Sequence, residues 1–214
     1  LGAWGVVGAA KGFSHRGRMF SSRMETDFET MPPIAATNAL RISNHSYGYN
    51  RGWIMSGGTW YWLGENNLSA AEDWQFGYYD GVARTNDMII YAAQTFLPVF
   101  SSGNENWEGP TTQPVWHWAR YGGAWQWTNT VRPLDGGTEG YHTANTYGVS
   151  KNNLVVGAVE KIPGGYTNPA SVSLAWFSSA GPTDDGRIKP DLVAAGIGLY
   201  SSTFTNATSY GTKS

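Results

Sequence analysis

Residues 177–196 read Phe-Ser-Ser-Ala-Gly-Pro-Thr-Asp-Asp-Gly-Arg-Ile-Lys-Pro-Asp-Leu-Val-Ala-Ala-Gly. Gly181-Pro182 and Asp185-Gly186 are turn dipeptides. Asp184 and Arg187, on either side of the second turn, read as a surface ion pair. The apolar runs on either side, "VSLAWFSS" from Val172 and "DLVAAGIGLYSS" from Asp191, read as strands closed by Gly and Ser turns. Taken alone, the block is a pair of turns between two strands.

Working outward, "NNLVVGAVE" (152–160) is a short continuous apolar run, the pattern of a strand buried on both faces. "FLPVFSSGNENW" (96–107) is another, delivering Ser101, Ser102, Gly103 and Asn104 to its carboxyl end. Before it, "YYDGVARTNDMIIYAAQ" (78–94) carries Val82, Ala83, Ile89, Ile90 and Ala93 at helical spacing. "RISNHSYG" (41–48) reads as a strand running into a polar loop. "DFETMPPIAATNAL" (27–40) reads as a helix capped by Asp27, with Pro32 and Pro33 in its first turn. "GRMFSSRM" (17–24) reads as a short buried strand. Strands and helices alternating in this way predict an α/β layer with a mostly parallel sheet, whose cleft opens beyond the carboxyl ends of the strands. The aromatic-rich stretches at about 50–77 and 105–148 read as long surface loops inserted into one domain spanning 1–214.

Composition narrows the function. The 214 residues are 14% charged with 28 glycines, a turn-rich globular chain. A net charge of -2 provides no basic field for nucleic acid or anionic membranes. The chain has no cysteine, which excludes disulfides and thiol chemistry. No apolar run is long enough to span a membrane. "LGAWGVVGAA" at the start lacks a preceding basic region and reads as the end of a packed helix rather than a signal peptide. Eleven Trp and twelve Tyr prompt a second reading, a carbohydrate- or peptide-binding module built on an aromatic platform.

Four stretches taken in order decide between these readings: Ser46-Tyr47-Gly48, Ser101-Ser102-Gly103-Asn104, Val156-Gly157-Ala158-Val159 and Phe177 through Gly196. Together they resemble the subtilisin-like serine proteases, the subtilases. Ala9 to Ser14 is similar to the segment after that family's catalytic-histidine helix, and Tyr210 to Ser214 to the stretch before its nucleophile motif. The resemblance implies an α/β, three-layer fold with a mostly parallel central sheet and helices on both faces, incomplete at both ends. It implies a serine endopeptidase in which Ser attacks the peptide carbonyl, His takes its proton and Asp orients the imidazole. By the same resemblance all three lie outside this sequence, which is then an internal fragment, inactive in isolation.

What the resemblance leaves inside the chain is the electrostatic half of the machinery. Asn104 matches the oxyanion-hole Asn. Ser46, Tyr47 and Gly48 match the segment that pairs with an extended substrate, and Ser101, Ser102 and Gly103 one wall of the pocket for the residue before the scissile bond. Ser101-Ser102 stands where relatives have Ala-Ala, so a more polar wall is expected. The four histidines (His15, His45, His117 and His142) occupy no position of a family base and read as surface or packing residues. No cofactor is required. Structural calcium could sit at Asp184, Asp185 or the Asp135 loop, although solvated turn carboxylates are the simpler reading. Polypeptide substrates, a pro-segment partner and an extracellular location follow from the family alone. The tripeptides starting at Asn67 and Asn206 match glycosylation acceptors. An inactive relative used as a scaffold remains an alternative that Asn104 argues against.

Overall fold

The computed structural model describes residues 16–37 and 40–199. The opening Leu1–Ala10 run, the Ala9–Ser14 segment, His15, Asn206 and Tyr210–Ser214 lie outside the described residues. The elements run α1 (Asp27–Thr37), β1 (Ile42–His45), β2 (Trp53–Ser56), β3 (Thr59–Glu65), α2 (Gly81–Ala92), β4 (Leu97–Ser101), β5 (His117–Tyr121), β6 (Ala124–Thr128), β7 (Leu154–Val159) and β8 (Leu192–Ala195).

They build two four-stranded sheets. The first has the order β1-β4-β7-β8 and every pair in it is parallel. This is the mostly parallel α/β layer that the sequence predicts. The expected strands at 41–48, 96–102, 152–160 and 191–202 supply its four members. Phe100, Val155 and Val159 point into the core, and α1 and α2 pack against each other. α2 starts where Asp80 accepts a hydrogen bond from Ala83 N at 2.8 Å, the N-cap geometry its sequence calls for.

Several polar residues of the 177–196 block tie one piece of this layer to another. Ser178 Oγ accepts from Ala158 N at 2.9 Å. Asp191 Oδ2 accepts from Val155 N and from the buried Lys189 Nζ, each at 2.8 Å. The Arg187 guanidinium donates to Val149 O at 2.7 Å. Its acidic partner is Asp185, at 2.9 Å, and not Asp184, because the Thr183–Arg187 turn brings Thr183 Oγ1 and Arg187 onto the same carboxylate.

The structure overturns several local expectations. The two aromatic stretches are not loops throughout: β2 and β3 come from the first and β5 and β6 from the second. β3 pairs with β5 in parallel, and the two stretches close into one mixed sheet, β2-β3-β5-β6. Trp53, Trp62 and Ala119 form its inner core, each less than 2% exposed. Aromatic and β-branched residues spaced by turn glycines are strand material when a partner strand is available, and here the partner comes from the other stretch. Residues 17–24 are not a buried strand. Met19 and Phe20 are exposed, the stretch finds no neighbouring strand among the described residues, and it runs into a single 3-10 turn, Met24–Thr26. Among the described residues the 172–179 run makes a single bridge, Leu174 to Val159, before turning. Pro32 and Pro33 lie within α1, beyond its first turn.

Candidate active site

The carboxyl ends of β1 and β4 lie side by side, since their register ends with His45 opposite Phe100. Ser46 and Ser101, the next residue on each strand, therefore leave the sheet at one edge. Among the described residues β1 is an outer strand, and Ser46 to Asn50 runs on without a partner strand. Ser46 and Gly48 are exposed. Their peptide groups are open to pairing with an extended chain. The Tyr47 side chain turns inward instead, with its hydroxyl 2.6 Å from His45 Nδ1 and its ring edge-on to Phe100 and Tyr147.

On the neighbouring strand Ser101 is half-buried, while Ser102 is only 4% exposed and places its hydroxyl 3.3 Å from that of Ser178. Of the two serine hydroxyls expected to form a polar wall, that of Ser102 is buried against Ser178. Gly103 adopts φ 110°, a conformation that side chains disfavour. It turns the chain so that Asn104 is exposed, its side-chain amide without a hydrogen-bond partner among the described residues.

Glu105 lies beneath this turn. Its Oε1 accepts from Asn145 Nδ2 at 2.7 Å and its Oε2 from Ser179 Oγ at 2.8 Å. Burial pushes its carboxyl above the usual carboxylate range, against the pull of Ser179, Asn145 and the backbone N–H groups of Glu105 and Asn104. Glu108, close by, is pushed up to about 7 by burial and by the charge of Glu105. A free donor at a strand end, beside an open strand edge, can hold a peptide and stabilise negative charge developing on its carbonyl oxygen.

The family model described as the Subtilase family (peptidase S8) matches residues 6–214. The chain belongs to the subtilase family. A segment of 37 residues is 60% identical to pyrolysin of Pyrococcus furiosus. That match covers 17% of this chain and 2% of pyrolysin, so the chain spans only a small part of this curated relative.

The subtilase keeps His45 and His117 in packing positions. His117 is fully buried; its Nδ1 donates to Val115 O at 2.9 Å and its Nε2 accepts from Arg132 Nε at 3.1 Å. His45 is 4% exposed and stacks on Phe100 at 4.5 Å. Sequence reasoning did not anticipate its surroundings: Nε2 lies 2.5 Å from Ser43 Oγ and Nδ1 3.1 Å from Asp27 Oδ2. The order Ser–His–Asp is that of a catalytic triad, yet Ser43 lies opposite Pro98 in the body of the sheet, not at its carboxyl edge. Burial lowers the His45 pKa despite Asp27, as for an imidazole held neutral by packing. Residues two apart on a strand share a face, a signal for this contact that the sequence did contain.

Asp135 corrects the picture of solvated turn carboxylates. It is 5% exposed, accepts from Trp53 N at 2.8 Å, and is pushed up to about 9, chiefly by burial, with Glu108, Asp73 and Glu105 adding to the shift. Among the described residues no group of three or more His, Asp or Glu side chains is placed to hold a metal ion. None of their helices is long and apolar enough to cross a membrane. Asn67 of the first acceptor tripeptide is exposed.

Proposed function

We propose that this subtilase chain carries the oxyanion donor and substrate-pairing edge of a serine endopeptidase whose Ser, His and Asp lie outside these 214 residues. The observation that carries the reading is the exposed Asn104 amide at the end of β4, one strand away from the unpaired Ser46–Gly48 edge. An extended polypeptide adds along that edge, and Ser101 and Gly103 flank the residue before the scissile bond. When the serine attacks, the carbonyl oxygen gains charge and the Asn104 side chain donates to it. This interaction is strongest in the transition state and so acts on turnover. In the full-length protease Asn104→Ala is expected to lower kcat by about 10²–10³ with little change in KM. Unchanged kcat in the folded variant would remove Asn104 from the mechanism. A secreted parent with an inhibitory pro-segment fits this function. An inactive parent would show no turnover of any peptide even with Asn104 intact.

A second reading concerns the outer face of the mixed sheet. There Trp116 stacks on Trp127 at 5.9 Å, Trp127 meets Trp118 at 5.3 Å, and Tyr61 stands edge-on to Trp125 at 5.8 Å. Trp116, Trp125 and Trp127 remain 40–54% exposed. Such a face could hold sugar or peptide, and quenching of tryptophan fluorescence by cellohexaose would favour the sugar.

A further inference from the structure

We propose that Glu105 is a positioning residue for the oxyanion turn, its carboxylate holding Ser179 and Asn145 against the Gly103–Asn104 turn so that the Asn104 amide faces the substrate. The inference rests on the reading of Asn104 as the oxyanion donor and adds the part that holds it.

The carboxylate is fixed from both sides. Asn145 and Ser179, which donate to its two oxygens at 2.7 and 2.8 Å, are 4% and 1% exposed respectively. Ser179 also grips the turn itself. Its backbone N–H donates to Gly103 O at 3.1 Å, and its Oγ accepts from Glu105 N at 3.1 Å. The Gly103–Glu105 turn is thus closed around Ser179, which the carboxylate holds in place.

The fit leaves no spare room. A Cβ on Gly103 would lie 2.2 Å from Glu105 Oε2 and 2.8 Å from Ser179 Oγ. Asn145 extends the clamp to the other side of the cleft, since its Nδ2 also lies 3.4 Å from Tyr49 O and its Oδ1 would be 3.1 Å from a Cβ on Gly48. One carboxylate therefore connects the oxyanion turn to the chain following the substrate edge. An ionised carboxylate accepts several charge-assisted hydrogen bonds at once, which a shorter or apolar side chain cannot do. A donor must be held before charge develops, and displacement by about 1 Å can cost about 10²-fold in rate.

The test is a double-mutant cycle in the full-length protease on a peptide anilide, with Glu105→Ala, Glu105→Gln, Asn104→Ala and the Glu105→Ala/Asn104→Ala pair. Glu105→Ala is expected to lower kcat by about 10–100-fold with KM within about two-fold. Glu105→Gln, which keeps the length but only one acceptor oxygen, should recover part of the loss. The pair should be no slower than Asn104→Ala alone, because a missing donor cannot be misplaced. Losses that multiply, or a Glu105→Ala enzyme with native kcat, would overturn the positioning role. Native kcat in Asn104→Ala would instead overturn the oxyanion reading, and the proposal with it. If Glu105→Ala does not fold, Ser179→Ala removes one anchor and enters the same cycle.

Discussion

The Arg132 guanidinium lies 4.2 Å from the centre of the Trp62 ring, and neither side chain is more than 1% exposed. Arg132 makes no ion pair with a carboxylate among the described residues. It is solvated instead by Ala70 O at 2.8 Å, Asn66 Oδ1 at 2.9 Å, Tyr121 OH at 3.3 Å and His117 Nε2 at 3.1 Å. These partners come from both aromatic stretches, so one buried cation ties the two halves of the mixed sheet together.

Arg132→Ala is therefore expected to be among the most damaging substitutions in the chain. It strands several buried acceptors, each worth about 1–3 kcal/mol, and removes a desolvated cation–π contact of about 2 kcal/mol. A loss of about 3 kcal/mol or more in urea unfolding is expected. A loss below about 1 kcal/mol would mean that the sheet stands without this cation.

Gly103→Ala combines positive φ with the close approach to Glu105 Oε2. The substitution is expected to cost about 1–3 kcal/mol of stability. It should also lower turnover in the full-length protease by displacing Asn104. Native Tm and native kcat together would show that the turn adapts freely.

Asp135 makes stability depend on pH in an unusual direction. Its folded pKa, about 9, lies above the unfolded value of about 3.9, so the native state binds the extra proton between these limits. Stability from this group is complete below about pH 4 and is lost as pH rises towards 9. Asp135→Asn keeps an acceptor for Trp53 N and removes the titration. Its Tm is expected to exceed that of the parent at pH 8–9 and to fall less between pH 6 and 9. Parallel Tm curves for the two proteins would contradict the assignment.

The Ser43–His45–Asp27 relay is expected to be structural. A fluorophosphonate probe should leave the purified 214-residue chain unlabelled. Ser43→Ala should leave peptidase activity in the full-length protease unchanged. Labelling at Ser43 would reverse this and make the relay a reactive site.

Much of the parallel layer could be read from the chain alone. Leu154–Val159 and Leu97–Ser101 are apolar runs bounded by polar turns, and α2 shows both its cap and its period. These signals are local, since burial on one face or two imposes a pattern on neighbouring residues. The same holds for Gly103 and Asn104, whose place at a strand end follows from the run before them. The mixed sheet was not legible because its decisive pairing, Trp60 opposite His117, joins segments far apart in sequence. Neither segment is amphipathic in a way that names its partner. Glu105 was likewise only the residue after Asn104 until the fold brought Asn145 and Ser179 to its two oxygens. Local periodicity determined which residues form strands and which end them. Tertiary structure alone decided which buried charges meet, because the desolvation that makes Arg132, Asp135 and Glu105 consequential exists only once distant segments close over them.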